Sequence, residues 1–465
     1  MLPVERVIGE EGLTATPEGL RLAMRLPWYR SLPFSTVEIP SVAIDGADVD
    51  LSNAIVEYDG ARWPLAELGE QTNAFWFVRD SAFLVLPGHS AEPGSEHSVS
   101  LTVNVNPPYI PGMKRTNPQT STLRVNLITR EDLKMSTATG PQVGVTLYSF
   151  TNEWLTRQFD LESLLREVAR REMGPNIEII GFQNFKEFPD VSDDFAARFK
   201  DLMAEVGLNP VSCAINSDRF LKPGQQPIDD ASLVEYHKRQ LRSAKKMGFS
   251  LVRYQFALPV ELLPEIAPYA EELDIRMGVE VHAPMWAGHP AVQAYGEMYE
   301  KLNTPVLGWI PDFGGTASRI PESMLNAARK AGAAESLLDK LKEIWVEPGM
   351  SHEKAGKLFQ WGLANGHAPA HIQAAVLAYF ILANNDPKSW AALVDRTIHI
   401  HGKFYGVSED LVEEAIDYAT ILPLFRDGGF TGTLVSEWEG HAYDTRDAFE
   451  QVRRHQAMCK ALFAA

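Results

Sequence analysis

The segment MGVEVHAP, residues 277–284, combines a strand pattern with an acid and a histidine. Its apolar residues alternate with other types and run into Pro284, a pattern typical of a β-strand that ends in a loop. Because strand side chains alternate between two faces, Glu280 and His282 share one face at the end of this strand. A buried strand ordinarily carries Val or Ile there. A carboxylate followed by an imidazole therefore indicates a chemical role at the strand's end.

Seven further apolar runs have the same character, and amphipathic helical patterns such as LESLLREVARREM follow them. Parallel strands need crossover helices, and eight strand–helix units in succession close into a (β/α)8 barrel. We therefore predict an α/β fold with a TIM barrel over residues 140–465. In chain order, the predicted strands are 144–150, 177–182, 210–216, 251–256, 277–284, 306–313, 396–404 and 432–440.

The connection between the sixth and seventh predicted strands is about eighty residues long, far longer than a strand–helix unit requires. It contains helical patterns such as SLLDKLKEIWV and HIQAAVLAYFILANND. We predict a helical insertion at about residues 320–392. Because it follows the carboxyl end of a strand, we expect it on the face of the barrel where reactive groups gather.

Residues 1–135 follow a different pattern, in which short alternating runs are broken by turns and no long helical pattern occurs. The Asp-Gly pairs at 45–46 and 59–60 are hairpin signals. The segment 74–88 has the pattern of strand, polar turn and strand, and 97–112 alternates until it reaches two prolines. We predict a small all-β domain, a sandwich or an open barrel, ahead of the TIM barrel.

Composition excludes several classes of function. The chain has 465 residues and a formal net charge of −18, and no Lys/Arg stripe stands out, so we expect it to bind neither nucleic acid nor anionic membranes. Its two cysteines, Cys213 and Cys459, lie in apolar runs, where burial is the ordinary outcome. The first residues lack the pattern of a signal peptide and no stretch is apolar enough to cross a membrane. We expect a cytoplasmic protein and a homo-oligomer.

Polar residues at the ends of strands five to eight suggest a metal site. Reactive groups of a barrel project from the carboxyl ends of its strands, and these four ends each offer an acid or an imidazole. Three carboxylates in a dry pocket repel one another unless a cation is bound. A set of three oxygens and one nitrogen suits Mn²⁺, Mg²⁺, Fe²⁺ or Co²⁺, and would also accept Zn²⁺. The candidate ligands are Glu280, Asp312, His401 and Glu437.

Each of these residues also has a structural interpretation, and singly that interpretation is at least as good. Glu280 could be a solvated strand end, and His399 is best explained as a core histidine one pleat deeper than His401. Jointly, four such coincidences at one end of adjacent strands are improbable. Glu437 and Glu439 share a face, and Glu437 is preferred as the ligand because it still lies within the strand.

Other polar residues nearby have candidate roles beside the metal. His282 lies two residues beyond a predicted ligand, where a general base belongs. Glu439 and His441 could act as a second acid–base group or bind substrate. Lys403 could polarise a carbonyl or pair with a carboxylate. Two further candidates for substrate contacts lie at earlier strand ends: Asn184, and Arg253, which could equally be an ion-pair partner inside the barrel.

Four motifs resemble the xylose-isomerase-like superfamily of sugar isomerases and epimerases: the Glu-x-His of strand five, PDF of strand six, HIHGKFYG of strand seven and SEWEGH of strand eight. More closely, they resemble the α subunit of bacterial C-glycoside deglycosidases. The segments 26–35, 74–86 and 106–112 resemble the β subunit of those enzymes. The two subunits are usually separate chains, whereas here the β-like part precedes the α-like part in one chain.

The resemblance implies a substrate and a mechanism. Enzymes of this family act on 3-oxo-glycosides supplied by a separate oxidoreductase, and the C3 ketone makes the C2 proton acidic. Here His282 would remove that proton, a Mn²⁺-like ion on the four ligands would stabilise the enolate, and the bond to the aglycone would break by β-elimination. Glu439 and His441 are candidates to protonate the leaving group. Aromatic residues of the β-like part would wall the aglycone, with domain packing as their alternative role: Trp28, Tyr29 and Tyr109.

Other functions fit part of the pattern. A metal-dependent sugar isomerase or epimerase would use the same ligands but leaves the β domain unexplained. A variant acting on O-linked 3-oxo-glycosides is barely separated from one that cleaves C–C bonds. A non-catalytic sugar-binding barrel would tolerate the loss of an acid or of His282, and none is lost. Retaining glycosidases also use barrels with paired carboxylates, but they need no histidine. The set on neighbouring strands here contains an imidazole and therefore fits a metal site better.

Overall fold

The computed structural model describes residues 7–28, 32–72, 74–76, 80–106, 114–126, 140–219, 227–443 and 445–464. They form two compact units. The first is Met1–Lys134 with Ala267–Asp274 and Glu297–Val306, and the second is Met135–Ile266 with Ile275–Gly296 and Leu307–Ala465. Tyr29 and Tyr109, both predicted to contact the aglycone, lie outside the described residues.

The amino-terminal part is an all-β domain, as predicted. Nine strands form one sheet in the order β5-β4-β10-β11-β1-β2-β9-β6-β7, in which β1 and β11 are parallel and the other pairs are antiparallel. β3 and β8 form a separate pair. The strands are β1 (Ile8–Thr16), β2 (Gly19–Arg25), β3 (Leu32–Pro33), β4 (Val37–Ile44), β5 (Ala47–Asp48), β6 (Ile55–Tyr58), β7 (Ala61–Pro64), β8 (Phe75–Trp76), β9 (Ser81–Pro87), β10 (Glu96–Val105) and β11 (Arg115–Asn126).

Both predicted Asp-Gly turns are confirmed. In each pair the Asp and the Gly have positive φ, 51° and 79° at residues 45–46 and 47° and 77° at 59–60. Such a turn matches the twist of the strands that it joins, β4 with β5 and β6 with β7. The alternating segment 97–112 begins as strand β10, and its last residues lie outside the described ones.

The segment 74–88 contains two strands, as predicted, but within the described residues these strands pair with others and not with each other. Its first strand, β8, pairs with β3, and its second, β9, pairs with β2 and β6. Trp76 is fully buried and stacks on Phe34 at 5.3 Å between ring centroids. Burial of this large aromatic ring in the core of the unit stabilises the pairing of β8 with β3.

The second unit contains the predicted (β/α)8 barrel. Eight parallel strands follow the order β17-β16-β15-β14-β13-β12-β19-β18. The two end strands meet through parallel bridges, Trp309 to Thr397 and Asp312 to His401, which close the ring. All eight predicted strands are present, in shorter form: β12 (Gln142–Thr146), β13 (Asn176–Ile180), β14 (Asn209–Ala214), β15 (Leu251–Tyr254), β16 (Arg276–Val281), β17 (Leu307–Pro311), β18 (His399–Phe404) and β19 (Thr433–Trp438).

Helices lie between the strands of the barrel. Several begin at side-chain caps: Asp160, Ser192 and Asp229 each accept a hydrogen bond from the backbone N–H three residues further on. The helices are α1 (Thr151–Leu155), α2 (Leu161–Arg170), α3 (Gly181–Asn184), α4 (Asp193–Val206), α5 (Asp230–Lys246), α6 (Leu263–Glu272), α7 (Pro290–Leu302), α8 (Glu322–Lys330), α9 (Glu335–Trp345), α10 (Ser351–Ala364), α11 (Pro369–Val376), α12 (Ala378–Ile381), α13 (Tyr418–Asp427) and α14 (Ala448–Ala464).

The long connection between β17 and β18 is helical, as its sequence indicates. It holds α8 to α12 and a 3-10 helix at Pro387–Arg396. Both cysteines are buried free thiols. Within the described residues, each helix is too short or too polar to traverse a lipid bilayer.

Candidate active site

Four strand ends of the barrel bring three carboxylates and one imidazole together. The four side chains are buried, and one candidate ligand atom from each lies within 4.8 Å of all the others. They belong to β16, to the residue after β17, to β18 and to β19. This cluster, called the rim cluster below, consists of Glu280, Asp312, His401 and Glu437. The four candidate ligands from the sequence are thus brought to one place.

The His401 ring lies between carboxylates on both sides. Its Nδ1 is 2.8 Å from Oε1 of Glu280 and 3.2 Å from Oε2 of Glu437. Its Nε2 is 3.0 Å from Oε2 of Glu178, on β13. Burial lowers the pKa of His401, but the three surrounding carboxylates outweigh burial and raise it well above its ordinary value. Without another cation, a proton on His401 offsets part of the negative charge.

The rim cluster fits a divalent cation. Within the described part of the chain, two of its buried oxygens accept no hydrogen bond, Oδ2 of Asp312 and Oε2 of Glu437. Each oxygen nevertheless faces a nitrogen, Nζ of Lys403 at 2.8 Å from Asp312 and Nδ1 of His401 at 3.2 Å from Glu437, and a divalent cation would add the coordination that a hydrogen bond does not supply. Three carboxylates and one imidazole are also a donor set that Mn²⁺ and similar ions accept.

His282 has a defined tautomer next to the rim cluster. Its Nδ1 donates a hydrogen bond to the carbonyl oxygen of Ala283 at 2.6 Å, which leaves the lone pair of a neutral ring on Nε2. That Nε2 is 3.0 Å from Nζ of Lys403 and 3.7 Å from Oδ2 of Asp312. The side chain is 34% exposed, so a substrate in the rim can reach it.

Lys403 joins His282 to two carboxylates. Its Nζ is 2.8 Å from Oδ2 of Asp312 and 3.3 Å from Oε2 of Glu439. Burial lowers the pKa of Lys403, but Asp312 and the nearby glutamates raise it well above its ordinary value. The side chain is therefore a buried ammonium held among anions, and the pairing role considered from the sequence is present in the structure.

Glu439 and His441 lie on the same side as Lys403. Oε1 of Glu439 accepts a hydrogen bond from the Tyr148 hydroxyl at 3.2 Å. The Tyr148 ring packs edge-on against His441, with centroids 4.9 Å apart. Burial lowers the pKa of His441, and its Nε2 has no hydrogen-bond partner among the described residues.

The remaining residues predicted to contact substrate lie in different surroundings from one another. Nε of Arg253 lies 3.5 Å from Oε2 of Glu280, which is the ion-pair arrangement. Asn184 accepts a hydrogen bond from the backbone N–H of Ile180 at 3.3 Å, and its buried Nδ2 has no partner among the described residues. Trp28 is 6% exposed and belongs to the hydrophobic core of the amino-terminal unit. Its substrate contact stays a prediction.

Sequence reasoning missed Glu178. It lies in the interior of β13, is 1% exposed, and contacts His401 and His399. Burial raises its pKa, but the two histidines outweigh burial and hold the pKa well below its ordinary value. Only residues at strand ends were considered as candidates, and Glu178 lies inside its strand. The available signal was a lone carboxylate among the apolar residues of IEIIGF.

Comparison with known proteins gives a consistent result for both parts of the chain. Residues 5–109 match the family model described as C-glycoside deglycosidase beta subunit. The 3'-dehydrocarminate deglycosidase alpha subunit of Microbacterium sp is 34% identical over 336 residues, covering 70% of this chain and 95% of that protein. The corresponding beta subunit is 39% identical over 107 residues, covering 23% of this chain and 80% of that protein. A solved sugar phosphate isomerase/epimerase from Parabacteroides distasonis is 14% identical and covers 72% of this chain and 99% of its own, with a TM-score of 0.41.

An all-β domain followed by a parallel barrel with acids and histidines at its rim is the architecture of an enzyme rather than of a structural protein. The chain belongs to the C-glycoside deglycosidase family and is an enzyme of that kind, with the parts similar to the β and α subunits joined in one polypeptide.

Proposed function

We propose that the protein is a metal-dependent lyase that cleaves the bond between sugar and aglycone in 3-oxo-glycosides. The observation that carries this proposal is the position of the His282 Nε2 lone pair, 3.7 Å from a carboxylate of the rim cluster. A base beside a cation site is what proton removal next to a ketone requires. Relatives named as deglycosidases, one of them for a 3'-dehydro substrate, support the substrate class.

In the proposed reaction, His282 Nε2 takes the proton from C2 of the sugar, next to the C3 ketone. The electron pair of the C2–H bond becomes the C1–C2 double bond, and the bond from C1 to the aglycone breaks with its electrons going to the aglycone. One proton must then reach the leaving carbon or oxygen. No oxidant is consumed, because the ketone is already present when the glycoside arrives from a separate oxidoreductase.

The rim cluster would hold the ion, and Mn²⁺ is the first candidate because carboxylate-rich sets suit it. A bound divalent ion supplies Lewis-acid stabilisation of the negative charge that develops on the substrate oxygens. Lys403 would hold Asp312 in place through its 2.8 Å ion pair and keep the imidazole of His282 oriented.

The candidates to protonate the leaving group are Glu439 and His441, which lie on one side of the rim. Glu439 is 13% exposed and hydrogen-bonded by Tyr148, so it is the better-positioned carboxyl to relay a proton. His441 carries an unpaired Nε2 and is the second candidate. We propose Asn184, through its unpaired Nδ2, and Arg253 as further substrate contacts.

The decisive experiment measures aglycone release from a 3-oxo-C-glucoside and from its 3-hydroxy parent, each with Mn²⁺ and with EDTA. We expect release only from the oxo compound and only with metal. Turnover of a free ketose or aldose without aglycone release would instead indicate a sugar isomerase or epimerase, which needs the same cluster. A 3-oxo-O-glucoside run in parallel separates C–C from C–O preference.

We further propose that residues 1–135 and 140–465 correspond to the β and α subunits of the relatives. The support is that each part matches a differently named subunit. Expressing the two segments as separate chains, cut between residues 135 and 140, should yield proteins that together restore aglycone release. Full activity of 140–465 alone would contradict this part of the proposal.

A further inference from the structure

We propose that Glu178 is a positioning residue that fixes the tautomer of His401, so that Nδ1 of His401 faces the cation in the rim cluster. This inference rests on the metal dependence of the proposed function, but not on the identity of the substrate.

The geometry assigns Glu178 to one side of the ring only. Its Oε2 lies 3.0 Å from Nε2 of His401, while the two nearest rim-cluster carboxylates lie on the Nδ1 side. The Ser212 hydroxyl donates a hydrogen bond to the same Oε2 at 2.7 Å, from the residue that pairs with Glu178 in the neighbouring strand. The Ser212 hydroxyl therefore holds the Glu178 carboxylate in a position that faces His401.

A neutral imidazole has one N–H and one lone pair. A buried carboxylate at Nε2 keeps the hydrogen on that nitrogen, because the charge-assisted hydrogen bond would be lost in the other tautomer. The lone pair then lies on Nδ1, towards Glu280 and Glu437. A lone pair facing two carboxylates is repelled, and either a second proton on Nδ1 or a cation between the groups removes that repulsion. When a divalent cation is bound, this tautomer offers it the Nδ1 lone pair. Carboxylates behind metal-binding histidines act in this way elsewhere.

An alternative is that Glu178 is itself a ligand of a second ion, because Glu178, His399 and His401 also have candidate ligand atoms within 4.8 Å of one another. The contacts of Glu178 oppose this. Its Oε2 accepts a hydrogen bond from the Ser212 hydroxyl at 2.7 Å and faces Nε2 of His401 at 3.0 Å, so a second ion would have to displace both contacts.

The test uses the full chain, stripped with EDTA, and measures Mn²⁺ affinity by titration calorimetry and metal content by mass spectrometry. Glu178→Gln should weaken Mn²⁺ binding about 10- to 100-fold while leaving one ion per chain at saturation. Ser212→Ala should shift the affinity in the same direction but less, because it loosens the carboxylate without removing it. Ser217→Ala is the matched control, since it removes a buried serine–histidine hydrogen bond of 2.9 Å to His237, away from His401.

A second readout keeps the proposal testable if Glu178→Gln does not fold. In the Zn²⁺-loaded chain, ¹⁵N NMR of the His401 side chain should show a protonated Nε2 and a metal-bound Nδ1. The opposite tautomer, unchanged Mn²⁺ affinity in folded Glu178→Gln, or two ions per chain with one lost in that variant would each overturn the proposal. Neither readout needs a substrate, so failure here is distinct from failure of the proposed reaction.

Discussion

At His282, two contacts decide what the imidazole can do. The Ala283 carbonyl fixes the hydrogen on Nδ1, and Lys403 keeps Nε2 in place beside Asp312. The side chain is not part of the rim cluster, although it is two residues from Glu280. His282 therefore lies near the rim cluster without being one of its candidate ligands. A general base and a metal ligand differ in this respect, and the difference can be tested by mutation.

His282→Ala should lower kcat for aglycone release by about 10²- to 10⁴-fold, because it removes the proton acceptor. Its metal content should equal that of the parent, since no atom of the rim cluster is lost. Glu280→Gln is the contrasting variant and should lose both metal and turnover. We would measure kcat on the 3-oxo-C-glucoside and Mn²⁺ per chain. Full activity of His282→Ala would show that another group is the base.

Among the structural elements, the loop after β17 has the most direct effect on the rim cluster, because it carries Asp312. Oδ1 of Asp312 accepts a hydrogen bond from the backbone N–H of Gly314 at 2.8 Å, which caps the 3-10 helix Phe313–Thr316. The insertion holds this loop from the other side: the N–H of Ala383 donates to the Gly314 carbonyl, and Asn385 donates to the Gly315 carbonyl. The insertion therefore helps to position a candidate ligand.

Gly315→Ala should weaken Mn²⁺ binding about tenfold and lower stability by about 1–3 kcal/mol. A Cβ at this position would overlap the carbonyl oxygen of Met285, so the loop that holds Asp312 must shift. The matched control is Gly356→Ala in α10, where a Cβ meets open space and should raise stability by up to about 1 kcal/mol. Calorimetric titration with Mn²⁺ and urea unfolding check both. Equal Mn²⁺ affinity in the two variants would contradict the role of the loop.

The segment after β18 depends on one buried carboxylate. Glu413 accepts hydrogen bonds from the backbone N–H of Tyr405 at 2.9 Å, of Ala415 at 2.5 Å and of Ile416. Glu413→Ala should lower the free energy of unfolding by about 2–4 kcal/mol, because buried N–H groups lose their acceptor. Glu414→Ala, next to it but on a partly exposed side chain, should change it by less than about 1 kcal/mol. Urea unfolding of both variants would decide, and equal losses would contradict the anchoring role.

At the scale of the whole molecule, a net charge of −18 is combined with a barrel that buries several carboxylates at one rim. Burial raises the pKa values of Glu178 and Glu280, but neighbouring histidines and Arg253 outweigh burial and hold both pKa values well below the ordinary value. An ion that binds only the folded state stabilises the chain further by mass action.

Mn²⁺ at a hundredfold excess over its Kd should stabilise the chain by about 2.7 kcal/mol and raise Tm by about 4 °C, and EDTA should reverse the shift. Differential scanning calorimetry measures the shift directly. Glu280→Gln serves as the control and should show no Mn²⁺-dependent change. A similar shift in that variant would place the stabilising ion somewhere other than the rim cluster.

Much of the fold could be predicted because its signals are local. The eight barrel strands follow from short apolar runs separated by helical periods, and the Asp-Gly turns follow from the residues that tolerate positive φ. The two strands of segment 74–88 show the limit of such signals. β8 pairs with β3, from a segment some forty residues earlier in the chain, and Trp76 of β8 stacks on Phe34 there.

Local patterns in the sequence predict the order of strands and helices and indicate which strand ends carry acids and histidines, because side-chain alternation and element type are properties of neighbouring residues. How those groups face one another depends on the folded chain. Glu178 and His401 are 223 residues apart and meet because β13 and β18 line the same closed ring. Which nitrogen of His401 faces the rim cluster, and which two carboxylates Lys403 pairs with, depends on ring closure and strand register, and no local pattern encodes these.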